Sequence, residues 1–124
     1  MKNIKRVFIL IGLSILATSC YYDKYQDAPV TPTEVSFATD IQPIFNSNCV
    51  ACHTTGGQTP NLTASNSYSN LIAGGYIVPN DLISSVLYQK ISGNRGGIMP
   101  PSGALSVANK NLVRDWILQG AQNN

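Results

Sequence analysis

One short segment restricts this chain more than everything else in it: Cys49-Val50-Ala51-Cys52-His53. Two thiols separated by two residues and followed at once by an imidazole form the attachment signature of c-type haem. The spacing has a chemical reason. Each thiol adds across one vinyl group of the porphyrin, so the pair has to straddle one edge of the ring. The adjacent imidazole can then swing under the ring and coordinate iron. Shuffling this composition would produce the pattern with a probability of roughly 0.0006, so coincidence is a poor explanation. The competing readings are a thioredoxin-like dithiol, a structural disulfide and half of a zinc site. Zinc lacks its remaining ligands, because there is no second cysteine pair and His53 is the single histidine. A dithiol active site belongs in a strand–helix–strand pattern, which is absent.

The third cysteine, Cys20, closes a different kind of segment. Lys2, Lys5 and Arg6 precede the apolar run 7–17. That run, about ten residues, is too short for the roughly 20 that a spanning helix requires, and reads as a secretory signal over 1–19. Its end, Leu16-Ala17-Thr18-Ser19-Cys20, resembles a bacterial lipobox, which makes Cys20 the expected lipidation site. The cysteine count then closes, with Cys20 on lipid and Cys49 and Cys52 on haem. Residues 20–35 contain Pro29 and Pro32 and keep no period, as expected of a tether. At about 3.3 Å per residue, roughly 15 residues let a domain range up to ~50 Å from a membrane. Tyr21, rather than aspartate, follows the lipid cysteine and slightly favours the outer membrane.

Charge excludes another class of function. The chain carries +2 overall, yet three of its eight bases lie in the first six residues. From Cys20 onward there are five bases against six acids, with no basic stripe, so nucleic-acid binding is not expected. With 44% hydrophobic and 11% charged residues, the chain is not a disordered tail.

The expected folded domain, 36–124, is small enough to need a staple such as a disulfide, metal or cofactor. Thr39 and Gln42 have capping-box spacing, and Ile41, Ile44 and Phe45 share a face, predicting a helix over 40–48. A second is expected from Ser65 or Asn66 to Ala73, stopped by Gly74-Gly75. A third is expected to be capped by Asn80 or Asp81, to carry Leu82, Val86, Leu87 and Ile91, and to end at Gly93. The last is capped by Ser106, presents Leu112, Val113, Trp116 and Ile117 on one face, and ends at Gly120. No stretch alternates over five residues, so the fold class is all-α.

A haem iron held by His53 needs a second axial ligand. Met1 leaves with the signal, so Met99 is the remaining thioether, and soft sulfur favours Fe(II). It sits in Gly96-Gly97-Ile98-Met99-Pro100-Pro101, where glycines let a loop lie close to a ring and Pro100 restricts Met99 to extended backbone. The other reading makes Met99 a gap-filling loop residue, with the prolines merely stopping the third helix.

The segments 37–53 (FATDIQPIFNSNCVACH), 98–101 (IMPP) and 116–121 (WILQGA) together resemble the monohaem cytochrome c domain of class I type. The likeness is closest to lipoprotein versions from Bacteroidetes-like bacteria and covers nearly all of the expected domain. It implies about four short helices around one covalent haem c, with first and last helices crossing near-perpendicularly and Met99 on the loop between the last two. It also implies that Thr59-Pro60-Asn61-Leu62 provides a Pro60 carbonyl for the second imidazole N–H of His53, with Leu62 packed on the ring. Trp116 is expected in the core, or with its N–H on a haem propionate. Arg95 is a solvated loop residue or a propionate partner.

The expected function is electron transfer by iron cycling between Fe(III) and Fe(II) with His53 and Met99 as axial ligands. Redox proteins are the partners, and the monomer is held on the periplasmic or cell-surface side by its lipid. Paired carboxylates and nucleophile–base pairs are absent from the sequence pattern, so an enzyme is not expected. The alternatives are a five-coordinate haem sensor and a haem-bearing component of a larger surface complex.

Overall fold

The computed structural model describes residues 33–124. The signal over 1–19, the lipid site Cys20 and the tether up to residue 32 lie outside the described residues. The last three tether residues do not behave as linker. The Val35 side chain is buried, and its N–H donates to Gln119 Oε1 at 2.8 Å. The folded body therefore includes Val35.

The first element is a π-helical turn, Phe37–Ile41, which runs directly into helix α1, Gln42–Asn48. The expected capping pair of Thr39 and Gln42 does not open it. Ser36 does, its hydroxyl accepting from the Thr39 N–H while its own N–H donates to Asp40 Oδ2 at 2.8 Å. The entry thus starts three residues early, because a serine followed by an acid four positions on satisfies the free N–H groups sooner. Pro43 falls in the first turn of α1, where its missing N–H costs nothing.

Helix α2 spans Ser67–Ala73 and helix α3 only Val86–Ile91. The expected third helix is therefore shorter at its start. Asp81 Oδ1 accepts from the N–H groups of Ile83 and Ser84, and the buried Ser85 hydroxyl donates to the Asp81 carbonyl at 2.6 Å. Short polar side chains thus take the backbone groups a helix would have used, leaving Ile83 85% exposed. Helix α4, Val107–Leu118, follows its expected course, with the Ser106 hydroxyl accepting from Asn109 N–H and a left-handed Gly120 after its end.

Among the described residues there is no strand, only an isolated bridge between Val78 and Asp81, so the fold is a small all-α one. Its core is built where the opening turn meets α4. Phe37 lies 5.3 Å from Trp116, 5.3 Å from Tyr68 and 6.2 Å from Phe45, centroid to centroid. The Phe37–Phe45 and Phe37–Tyr68 pairs are edge-on, and pairs of that kind add about 0.5–1.5 kcal/mol each beyond their buried area. Asn124 locks the same junction: its backbone carbonyl accepts from Ala38 N–H at 2.9 Å, and its side-chain oxygen from Phe37 N–H at 2.8 Å.

Candidate functional site

The two cysteines and the histidine occupy a helical turn that continues α1. Cys49 N–H donates to the Phe45 carbonyl at 2.8 Å, and His53 N–H to the Cys49 carbonyl at 2.9 Å. An i to i+4 bond places Cys49 and His53 one above the other, on the same side of the turn. The chain then folds back in a tight loop. Gln58 N–H returns to the Cys52 carbonyl and Leu62 N–H to the His53 carbonyl, at 2.9 and 2.8 Å. Gly57 is required by this approach, since a Cβ there would collide with the Cys52 carbonyl oxygen.

The return brings Pro60 beneath the imidazole. His53 Nδ1 lies 3.0 Å from the Pro60 carbonyl oxygen. A carbonyl only accepts, so Nδ1 carries the proton and Nε2 is left with its lone pair free for a metal. Pro60 is buried, and Leu62 is 2% exposed.

Cys49, Cys52, His53 and Met99 all line one cavity of about 400 Å³. Pro60 and Leu62 form part of its wall beside His53, while Val86, Leu87 and Ile91 of α3 contribute an apolar wall. Met99 enters from the loop after α3, anchored by its N–H on the Lys90 carbonyl at 3.1 Å, and Pro100 and Pro101 extend the rim. Among the described residues, Lys90 is the one formally charged side chain lining it. Burial pushes the Cys49 thiol up to about 11, so at neutral pH it is an uncharged S–H against an apolar wall. Cys52 is exposed at the mouth.

The fit to a haem is chemical. The wall is apolar, one imidazole nitrogen is spoken for and the other is not, and a thioether and two thiols share the space. No group of three or more His, Cys, Asp and Glu that could hold a bare metal ion occurs among the described residues.

Of the two readings given for each of Trp116 and Arg95, the structure places both residues away from the cavity. Trp116 is fully buried, and its indole N–H donates to the Gln122 carbonyl at 2.9 Å, so the indole packs the core and does not line the cavity. Arg95 is exposed on the loop and is not on the cavity wall either. Tyr76 lines the cavity, whereas the sequence points to no site role for Lys90, on the cavity wall, or for Gln42, which holds the Leu62 carbonyl. The signal that points to Gln42, a carboxamide three residues before Phe45 on the same apolar face, is masked by its capping-box spacing from Thr39.

A helical fold enclosing an apolar cavity with a Cys-x-x-Cys-His turn on its wall defines a monohaem cytochrome c domain of class I type. Residues 37–117 match the family described as cytochrome c oxidase, cbb3-type, subunit III, and the chain belongs to that family. No curated protein and no solved structure matches it. Membership establishes a haem-binding, electron-transfer cytochrome with covalently attached haem c. Among the described residues, no helix is long and apolar enough to cross a membrane.

Proposed function

We propose that this chain is a one-electron carrier in which Cys49 and Cys52 hold a single haem c and His53 and Met99 ligate its iron. The observation that carries the reading is the convergence of these four side chains on one apolar cavity, with His53 Nδ1 fixed on the Pro60 carbonyl. When bound, the haem supplies a one-electron Fe(III)/Fe(II) couple. The protein supplies the rest. His53 offers Nε2 in a fixed tautomer, and the carbonyl behind it makes the imidazole a better donor. Met99 offers a soft thioether that favours the reduced metal. If His53 and Met99 both ligated the iron, oxygen and small substrates would have no open coordination site. Leu62, Val86, Leu87 and Ile91 line the cavity and would exclude water from a haem held there.

Cys52 is exposed at the cavity mouth, so a haem held there would exchange electrons with a redox protein docked on that side. Among the residues lining the cavity Lys90 alone is formally charged, and no Asp, Glu, Lys or Arg occurs between residues 41 and 80, so docking is weakly charge-steered and mainly apolar. Cys20 carries lipid and holds the monomer at a bacterial membrane on its periplasmic or cell-surface side, with the outer membrane favoured. Incorporation of labelled fatty acid, lost in Cys20→Ser, tests the anchor.

The ligation is tested on the oxidised, haem-loaded protein by its weak Fe–S charge-transfer band. The band is expected in the wild type and absent in Met99→Ala, whose reduced form gains rapid carbon monoxide binding. Rapid carbon monoxide binding by the unaltered reduced protein would instead identify a five-coordinate sensor.

A further inference from the structure

We propose that Gln42 is a positioning residue for the iron-ligating imidazole, acting through Leu62; the proposal rests on the His53 ligation set out above. Gln42 sits on α1 and is only 7% exposed, among Ile41, Ile44 and Phe45. A buried carboxamide costs free energy unless its groups are paired, and here they are. Nε2 donates to the Leu62 carbonyl at 3.1 Å and to Asn46 Oδ1 at 2.8 Å, while Oε1 accepts from the Ser67 hydroxyl. The orientation of the amide is dictated, because the Leu62 carbonyl can only accept. Ser67 is itself fully buried in the first turn of α2. One side chain thereby joins α1, α2 and the loop that returns from His53.

Leu62 is where this pin meets the site. Its carbonyl is held by Gln42, its N–H by the His53 carbonyl, and its side chain lines the cavity. Pro60, two residues earlier on the same strand of loop, receives the Nδ1 proton of His53. Releasing the Leu62 carbonyl frees both supports of the imidazole at once, its backbone tie and its carbonyl acceptor. A methionine would fill the same volume without the desolvation cost, so the carboxamide contributes direction that volume alone does not.

A looser Nδ1–H to carbonyl bond makes the imidazole a poorer donor to iron, which favours Fe(II) and raises the reduction potential. Holo-protein carrying Gln42→Met is therefore expected to show a raised potential and an altered haem-methyl shift pattern in the oxidised NMR spectrum, which reports the imidazole plane. The expected size is up to about tenfold in the ferric-to-ferrous preference, or about 59 mV for one electron. Ser67→Ala, which removes the hydroxyl orienting the amide, moves both readouts in the same direction by less. Tyr68→Phe, which loses a bond to the Ala121 carbonyl away from the cavity, is expected to lower Tm and move neither. If Gln42→Met does not mature, Ser67→Ala alone decides. Unchanged potential and methyl shifts in the variant that matures, or equal movement in Tyr68→Phe, overturn the proposal. A wild-type protein without histidine-ligated haem overturns the functional reading, and this proposal with it.

Discussion

Leu62 shows how much one residue of this chain carries. It is 2% exposed, its two backbone groups tie His53 and Gln42, and its side chain faces the cavity. Truncation keeps the backbone bonds and removes the packing. Leu62→Ala is expected to cost about 2–5 kcal/mol in chemical denaturation of the holo-protein, the range for emptying a buried leucine site. A loss below about 1 kcal/mol would mean that the side chain is not packed in the holo-protein. That Cys49, Cys52, His53 and Met99 would share one cavity was legible in the sequence, because the spacing of the first three is dictated by a rigid ring and Met99 sits in a distinctive Gly/Pro loop. Gln42 was not, because its position three residues after Thr39 matched a capping box, and a local motif hides a long-range bond. Trp116 was ambiguous for a related reason. Helical spacing places it on the core face, but only the Gln122 carbonyl shows where the indole proton goes.

At the scale of elements, caps and competing side chains decide where helices start. Helix α4 was readable end to end, since Ser106, the apolar positions and Gly120 all agree. The expected start of α3 failed because hydrophobic spacing continued through Leu82 while Asp81, Ser84 and Ser85 drew the backbone into turns. Hydrogen bonds from Ser84 hold the Asp81 carboxyl below the usual carboxylate range. A folded-state value lowered in this way contributes stability above the ordinary carboxylate pKa and loses it as pH falls through the lowered value. Asp81→Ala is thus expected to melt below the wild type at pH 7, with the two converging in acid. A difference that persists unchanged to acid pH would contradict the charge-linked part of this tie. The loop matters to the site because Asn80 N–H donates to the Ile117 carbonyl at 2.8 Å, fixing the approach of α3, one cavity wall, to α4.

For the molecule as a whole, the haem stands where a larger protein would have more core. A cavity of about 400 Å³ inside so small a domain leaves its apolar wall uncovered unless a ligand fills it. The apo-chain is therefore expected to be largely unstructured, so the double variant Cys49→Ala/Cys52→Ala should lose most helical far-UV circular dichroism. Native helicity in that variant would show that the four helices hold together without the cofactor. The uncharged stretch 41–80 sets a second expectation at this scale: electron exchange with a soluble redox partner should change little between low and physiological ionic strength. A steep decline with salt would place the docking face on the charged side of the molecule. The most direct test is the mass of the mature polypeptide after acid extraction, which strips non-covalent porphyrin. It should equal the processed, lipid-bearing chain plus one haem in the wild type and that lipid-bearing chain without haem in the double cysteine variant. A wild-type mass without that increment would contradict covalent attachment at Cys49 and Cys52.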